Sequence, residues 1–314
     1  MAGIGIVNNP RSRRNRRHPE TAGKLRQLVA GAGEVLDAST LDELAHALAR
    51  FRERGIDTLG VNGGDGTAHI VLSAALDAWR GSPFPQILLL RGGAMNTVAR
   101  GQGISGTPEG ILSRLLERRR AGKRTRTVTR DLLRIEAPGL TTRHGFIFGT
   151  GAAVSFLDVY YGTGRPSPAM ALGLLARAVG SALSRGRFAS RLTEREWLRI
   201  TVDGEEWPED RFVGVIAATT PEIGFGFAPF TRCEEQPGFF HAVGVVGSVR
   251  QIVASLPGVY RGRAWRRRVA VDTVARELSI DAGRPVRFTV DGDLYESPSQ
   301  VTVSTGPAVE LLTP

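Results

Sequence analysis

The chain has 314 residues, 41% of them hydrophobic, and a formal net charge of +10. That length accommodates two domains, the hydrophobic content excludes disorder on a domain scale, and no run of 18 apolar residues is present to cross a bilayer as a helix. A lone cysteine, Cys233, excludes an internal disulfide, and with a first segment that reads as a strand rather than a secretory signal it predicts a cytoplasmic protein. The charge implies an anionic partner, whether phosphates, a lipid surface or nucleic acid. All but two of the 41 basic residues are arginine, so a codon-level bias explains the charge equally well.

In chain order, Gly3 to Val7 predicts a short apolar strand stopped by Asn8-Asn9-Pro10. Arg11 to Arg17 holds five arginines in seven residues, and reads either as a grip on phosphate or membrane or as a solvated loop. Leu25, Leu28 and Val29 recur at helical spacing, and Val35 to Asp37 predicts a second strand. Ser39-Thr40 followed by Glu43 has capping-box spacing ahead of a helix through Leu44, Leu48 and Phe51. Ile56 to Val61 predicts the third strand, which breaks into Asn62-Gly63-Gly64-Asp65-Gly66-Thr67 before a helix from Ile70. Glycine at 63, 64 and 66 would let a phosphate chain lie against main-chain N–H groups at a helix start. Asp65 in that turn suits Mg²⁺, a hydroxyl or a bound water, and Thr67 suits a helix cap or a phosphate. A plain glycine-rich strand-to-helix turn fits the same spacing. Gln86 to Leu90 is a buried strand that again runs into glycines, Gly92 and Gly93, ahead of Asn96. Two neighbouring strands that end alike predict a two-sided nucleotide cleft at the carboxyl ends of a doubly wound parallel sheet.

Asn9-Pro10 with Ser12, GGDGT at Gly63–Thr67, and G-x-x-N-x-x-AR at Gly93–Arg100 resemble the diacylglycerol kinase catalytic domain family, which includes sphingosine, ceramide and bacterial lipid kinases. GGDGT is shared with the related NAD kinases, and the second motif favours the lipid branch. The resemblance implies an NAD kinase-like α/β domain followed by a β-rich, sandwich-like domain with inserted helices. It implies ATP and Mg²⁺ as cofactors, and nucleotide contacts from Asn9, Thr40, Gly63, Gly64, Asp65, Gly66, Thr67, Gly93 and Asn96.

Beyond a helix over Gly110 to Arg120 the chain turns basic and polar through Lys123, Arg124 and Arg126. The predicted boundary falls there: 1–125, with the tail 305–314 returning to it, and a second domain over 126–304. Short segments at 128–135, 144–148, 197–202, 211–217, 241–246 and 277–280 predict an antiparallel sandwich or barrel. Two apolar segments interrupt it, Pro168 to Leu183 and Arg250 to Val259, the second leading into the arginine-rich run Tyr260 to Arg268. By family analogy they border a lipid entrance beside an anionic bilayer; alternatively they pack on the sandwich. Nucleic acid is disfavoured because the run lacks an ordered set of stacking aromatics.

Val286 to Val290 predicts a strand running into Asp291-Gly292-Asp293, with Val301 to Val303 as its partner or neighbour. Asp-Gly is common in a β-turn, whereas the family has DGE here, its carboxylates in the catalytic cleft, with Asp293 in place of the glutamate. By that match Asp65, Asp291 and Asp293 share the work of holding Mg²⁺ through water and accepting the hydroxyl proton, Asp293 first as acceptor and Asp65 next. Ile70 stands where the family carries an acidic residue, and Arg91 and Ala94 replace its proline and threonine. Pro237 falls where family members hold a structural Mg²⁺, so no structural metal is expected. The implied function is ATP-dependent phosphorylation of a lipid hydroxyl, diacylglycerol-like or sphingoid- or ceramide-like, by a cytoplasmic protein peripheral to the inner membrane face. NAD kinase and an inactive nucleotide-binding membrane-surface protein are the alternatives.

Overall fold

Strand and helix alternate from the start of the chain: β1 (Ile4–Asn8), α1 (Arg13–Arg17), α2 (Glu20–Val29), β2 (Gly33–Asp37), α3 (Leu41–Glu53), β3 (Thr58–Asn62), α4 (Asp65–Ala78), β4 (Gln86–Leu89), α5 (Thr97–Gly101), α6 (Pro108–Arg120) and β5 (Arg126–Glu136). The computed structural model describes residues 3–164, 167–184, 186–224 and 226–314. It divides into two units, Met1–Arg130 with Ala308–Pro314, and Asp131–Pro307.

In the first unit β2, β1, β3 and β4 lie parallel in that order. Every residue of β1 and β3 is buried, as expected of strands covered by helices on both faces. The register sets Asn8 opposite Asn62, so both strands deliver an asparagine to the same carboxyl edge. On α3, Leu44, Ala47, Leu48 and Phe51 form the buried stripe, and α6 buries Ile111, Leu112, Leu115 and Leu116. The arginine stretch read as a grip or a solvated loop is in large part the short helix α1. It is pinned by buried Asn15, whose Nδ2 donates to the carbonyls of Asn9 (2.8 Å) and Asn62 (3.0 Å).

The second unit continues with β6 (Arg143–Gly145), β7 (Ile147–Thr150), α7 (Ala152–Gly162), α8 (Pro168–Leu183), α9 (Arg187–Leu192), β8 (Glu196–Trp197), β9 (Arg199–Val202), β10 (Glu205–Glu206), β11 (Arg211–Phe212), β12 (Gly214–Ala218), β13 (Phe240–Val245), α10 (Val249–Tyr260), β14 (Ala270–Ala275), β15 (Glu277–Asp281), β16 (Val286–Val290), β17 (Asp293–Ser297) and β18 (Gln300–Thr313). One sheet runs β14-β13-β12-β7-β16-β17, and β10-β9-β15-β18 with β5 and β6 form the other. Phe148, Phe240 and Phe288 of the first sheet pack in one core with Ile200, Leu278 and Val303 of the second, which makes the unit a sandwich. Val301 to Val303, expected beside β16, pairs instead with β15, and β16 takes β17 as its hairpin partner. At its far end β18 enters the first unit, with Leu311 paired in parallel to Ile87 of β4. No helix among the described residues is long and apolar enough to cross a membrane.

Candidate active site

The carboxyl edge of the first unit's sheet is built from two glycine turns in contact. A Cβ on Gly93 would lie 2.2 Å from Gly64 Cα, and one on Gly63 would lie 2.4 Å from the Thr67 side chain. Only glycine permits this approach. The turns meet main chain to main chain and leave a cavity of only about 10 Å³ beside Gly63, Gly64 and Asn96. The two-sided cleft expected from the sequence is therefore closed at its floor, where the turns touch.

Asp65 is half-buried in the first turn of α4, and its two oxygens accept N–H groups from the start of α5: Thr97 at 2.9 Å and Val98 at 3.2 Å. Burial pushes its carboxyl above the ordinary carboxylate range, against the pull of those two donors. Asn96 takes a left-handed conformation (φ 50°), and its amide both accepts from Gly93 N–H and donates to Gly93 O. Asn9 Nδ2 donates to Thr67 Oγ1 at 2.9 Å, tying the β1 turn to the start of α4. Beneath them Asn62 Nδ2 donates to Asn8 Oδ1 at 2.7 Å. Thr40 caps α3, its hydroxyl accepting from Glu43 N–H at 3.2 Å.

This edge is positively charged. Arg91, also left-handed (φ 58°), follows β4; its Nη1 donates to Gly106 O, while its buried Nε finds no partner. Burial, and then the neighbouring charges of Arg100 and Arg14, lower the pKa of the Arg91 guanidinium. Arg14 Nε is likewise buried without a partner, and its N–H is held by Gly92 O. Three guanidiniums and the N-terminus of the 14-residue helix α4 thus gather beside the turns, with Glu109, 4.0 Å from Arg14, as a carboxylate counter-charge.

In the second unit Asp291 (φ 47°) and Gly292 (φ 95°) form the two-residue turn joining β16 to β17, the left-handed pair that a tight hairpin requires. Asp291 is buried, and its carboxylate accepts N–H groups from Phe146 (3.1 Å) and Ile147 (2.9 Å) where the chain breaks between β6 and β7. Asp293 opens β17, half-buried. On the same face, Tyr295 has its phenol pushed up to about 12, by burial and then by the Asp293 charge, with Arg143 opposing. The Arg143 guanidinium lies 5.4 Å from the Tyr295 ring centroid, and Tyr161 donates its hydroxyl to Gly292 O at 3.0 Å.

Of the residues singled out from sequence, Asn9, Gly63, Gly64, Asp65, Gly66, Thr67, Gly93 and Asn96 gather at one edge of the first unit, with Thr40 at the helix start after β2. Asp291 lies in one turn of the second, and Asp293 follows that turn. Sequence reasoning passed over Asn8, Asn15, Asn62, Arg143, Tyr161 and Tyr295. The shared ending Val-Asn of β1 and β3 was the available signal for the asparagines. Among the described residues, no group of three or more His, Cys, Asp or Glu side chains is arranged to hold a metal.

Residues 4–126 match the family model of the diacylglycerol kinase catalytic domain. The chain is similar to the crystal structure of a diacylglycerol kinase from Bacillus anthracis str. Sterne, with a TM-score of 0.62 at 15% identity over 99% of this chain and 97% of that one. It is also similar to a yeast NADH kinase complexed with NADH, with a TM-score of 0.52 at 11% identity over 100% of this chain and 84% of that one. At such identities the likeness establishes the fold. No curated protein matches the sequence.

Proposed function

We propose, from the premise that residues 4–126 belong to the diacylglycerol kinase catalytic domain family, that the protein is an ATP-dependent kinase transferring the γ-phosphate to the hydroxyl of a lipid alcohol. The observation that carries the reading is the platform made by the abutting turns at Gly64 and Gly93, ringed by Arg14, Arg91 and Arg100. Phosphoryl transfer demands little covalent chemistry from a protein and much positioning and charge neutralisation, which such a platform supplies. Main-chain N–H groups at the start of α4 orient the phosphates, and the arginines offset their charge.

Mg²⁺ would sit on the phosphates, with Asp65 reaching it through water. The Asp65 carboxylate accepts the amides of Thr97 and Val98, and also the Thr97 hydroxyl and its own N–H, so it would take up a metal-bound water in exchange for one of these donors. The ion would neutralise developing charge on the phosphates. Asp293 is assigned as proton acceptor for the lipid hydroxyl by its match to the family's DGE. Asp291, with its carboxylate committed to two amides, holds the turn that presents Asp293.

The test is incubation of purified protein with Mg²⁺ and radiolabelled ATP against a panel of diacylglycerols, sphingoid bases and ceramides in detergent micelles. Label in a lipid monophosphate is the expected result. Label in NAD instead would move the protein to the NAD kinases. ATP binding by calorimetry with no transfer to any acceptor would make it an inactive nucleotide-binding protein.

A further inference from the structure

The turn that carries Asp293 is gripped by a helix to which no part of the reaction has yet been assigned. Helix α7 lies on β7, β12 and β16, and glycines seat its start. A Cβ on Gly149 of β7 would stand 2.9 Å from that of Ala153, so glycine there lets the helix close on the sheet. Gly151, at φ 58°, brings the Ala152 N–H to Val213 O at 2.8 Å. Near the other end Tyr160 shares an apolar cluster with Ala171 and Leu174 of α8, and its ring centroid lies 5.2 Å from that of Tyr161. Tyr161 is 42% exposed, yet its hydroxyl is aimed at the hairpin and donates to Gly292 O at 3.0 Å.

That carbonyl and the Asp293 N–H belong to one planar peptide unit, so holding the oxygen fixes the direction in which the chain enters Asp293. The restraint matters because Gly292, at φ 95°, gives the plane more freedom to turn than a residue with a side chain would. The preceding residue is held from elsewhere, by the Phe146 and Ile147 amides on the Asp291 carboxylate. A second tie joins α7 to β16, the bidentate pair from Arg287 to Asp158 at 2.6 and 2.8 Å. It is exposed, lies ahead of the turn and acts on no atom of the Gly292–Asp293 peptide.

We infer that Tyr161 is a positioning residue for phosphoryl transfer: its hydroxyl, acting through the Gly292 carbonyl, sets the place of the Asp293 carboxylate beside the acceptor hydroxyl. The inference deepens the lipid-kinase reading and rests on it for the role of Asp293. A proton acceptor works only within hydrogen-bond reach, and an ångström of misplacement costs on the order of 100-fold.

Tyr161→Phe removes the hydroxyl and keeps the ring. With Mg²⁺-ATP and the lipid alcohol that the wild-type protein labels best, kcat should fall roughly 10-fold, with the KM for ATP and the melting temperature unchanged. In the Asp293→Asn background the same change should cost less than about 2-fold, because the group it places is gone. Asp158→Asn should keep kcat within about 2-fold of wild type. Without substrate, hydrogen exchange read by mass spectrometry should quicken at residues 286–297 in Tyr161→Phe. Unchanged exchange there would overturn the inference whether or not any lipid is labelled. So would equal fold losses in the two backgrounds, which would mean that the tyrosine acts independently of Asp293, or a loss in Asp158→Asn as large as that in Tyr161→Phe, which would make α7 a general brace. A loss confined to Asp293→Asn would overturn the inference alone, whereas full kcat in Asp293→Asn would overturn the acceptor assignment and the inference with it.

Discussion

Gly93 and Gly64 touch through their main chains, so the second turn can grow no side chain without displacing the first: a Cβ on Gly93 would stand 2.2 Å from Gly64 Cα. Over-packing typically costs about 1–3 kcal/mol, and because the obstruction is backbone the cost of Gly93→Ala should fall at the upper end. Parting the turns also takes apart the phosphate platform. Gly101→Ala, a helical site with no heavy atom within 4 Å of the added Cβ, should stabilise by up to about 1 kcal/mol. Denaturant unfolding with ATP calorimetry checks both. A Gly93→Ala protein with unchanged stability and affinity would refute the packing argument.

Arg91 sits in a conformation that suits glycine, beside two like charges, with its Nε unbonded. One hydrogen bond, from Nη1 to Gly106 O, is all that offsets these costs in the unliganded site, whereas a bound phosphate would offset them further. Arg91→Gly should therefore leave the fold unchanged or stabilise it by about 1 kcal/mol. ATP affinity should fall roughly 10- to 100-fold with loss of a charge-assisted hydrogen bond. Melting temperature and calorimetric Kd moving in opposite directions is the signature. A Kd unaffected by Arg91→Gly removes this arginine from the site.

The strand–glycine–helix units were legible because turn chemistry is local: Val61 through Thr67 names its own conformation. The buried net of Asn8, Asn15 and Asn62 was not, since it exists only once β1 and β3 lie parallel in register. Asp291-Gly292 announces a tight turn, but the amides that its carboxylate holds, at Phe146 and Ile147, lie some 145 residues upstream. Helix α1 escaped notice because its composition is that of a solvated loop, and a single buried residue, Asn15, anchors it. Strand β17 escaped because Asp293-Leu294-Tyr295-Glu296-Ser297 lacks an alternating apolar face, and its partner β16 supplies the order.

Tyr295 reports on its neighbour. Its phenol pKa is pushed up to about 12, by burial first and the Asp293 charge second. The raised pKa means that the folded state holds the proton more tightly than the unfolded one. The resulting stabilisation is full below the ordinary tyrosine pKa of about 10 and is lost as the pH rises through about 12. Ultraviolet difference titration should show a late-ionising component absent from Tyr295→Phe. In Asp293→Asn that component should shift down. A late component unmoved in Asp293→Asn would mean that the carboxylate does not face the ring.

Asp291 sits within the β16–β17 turn and Asp293 directly after it, and their substitution should fail in different ways. Asp291→Asn removes a charged acceptor from the amides of Phe146 and Ile147, for about 1–3 kcal/mol of stability. Asp293→Asn removes the assigned proton acceptor, lowering kcat for lipid phosphorylation roughly 10²- to 10⁴-fold with the KM for ATP unchanged. Because the family carries glutamate there, Asp293→Glu tests reach, and it should retain more activity than the asparagine variant. Steady-state kinetics and thermal unfolding on all three variants separate the roles. If Asp293→Asn keeps its kcat while Asp291→Asn loses it without losing stability, the proton acceptor is the turn residue and the two assignments exchange.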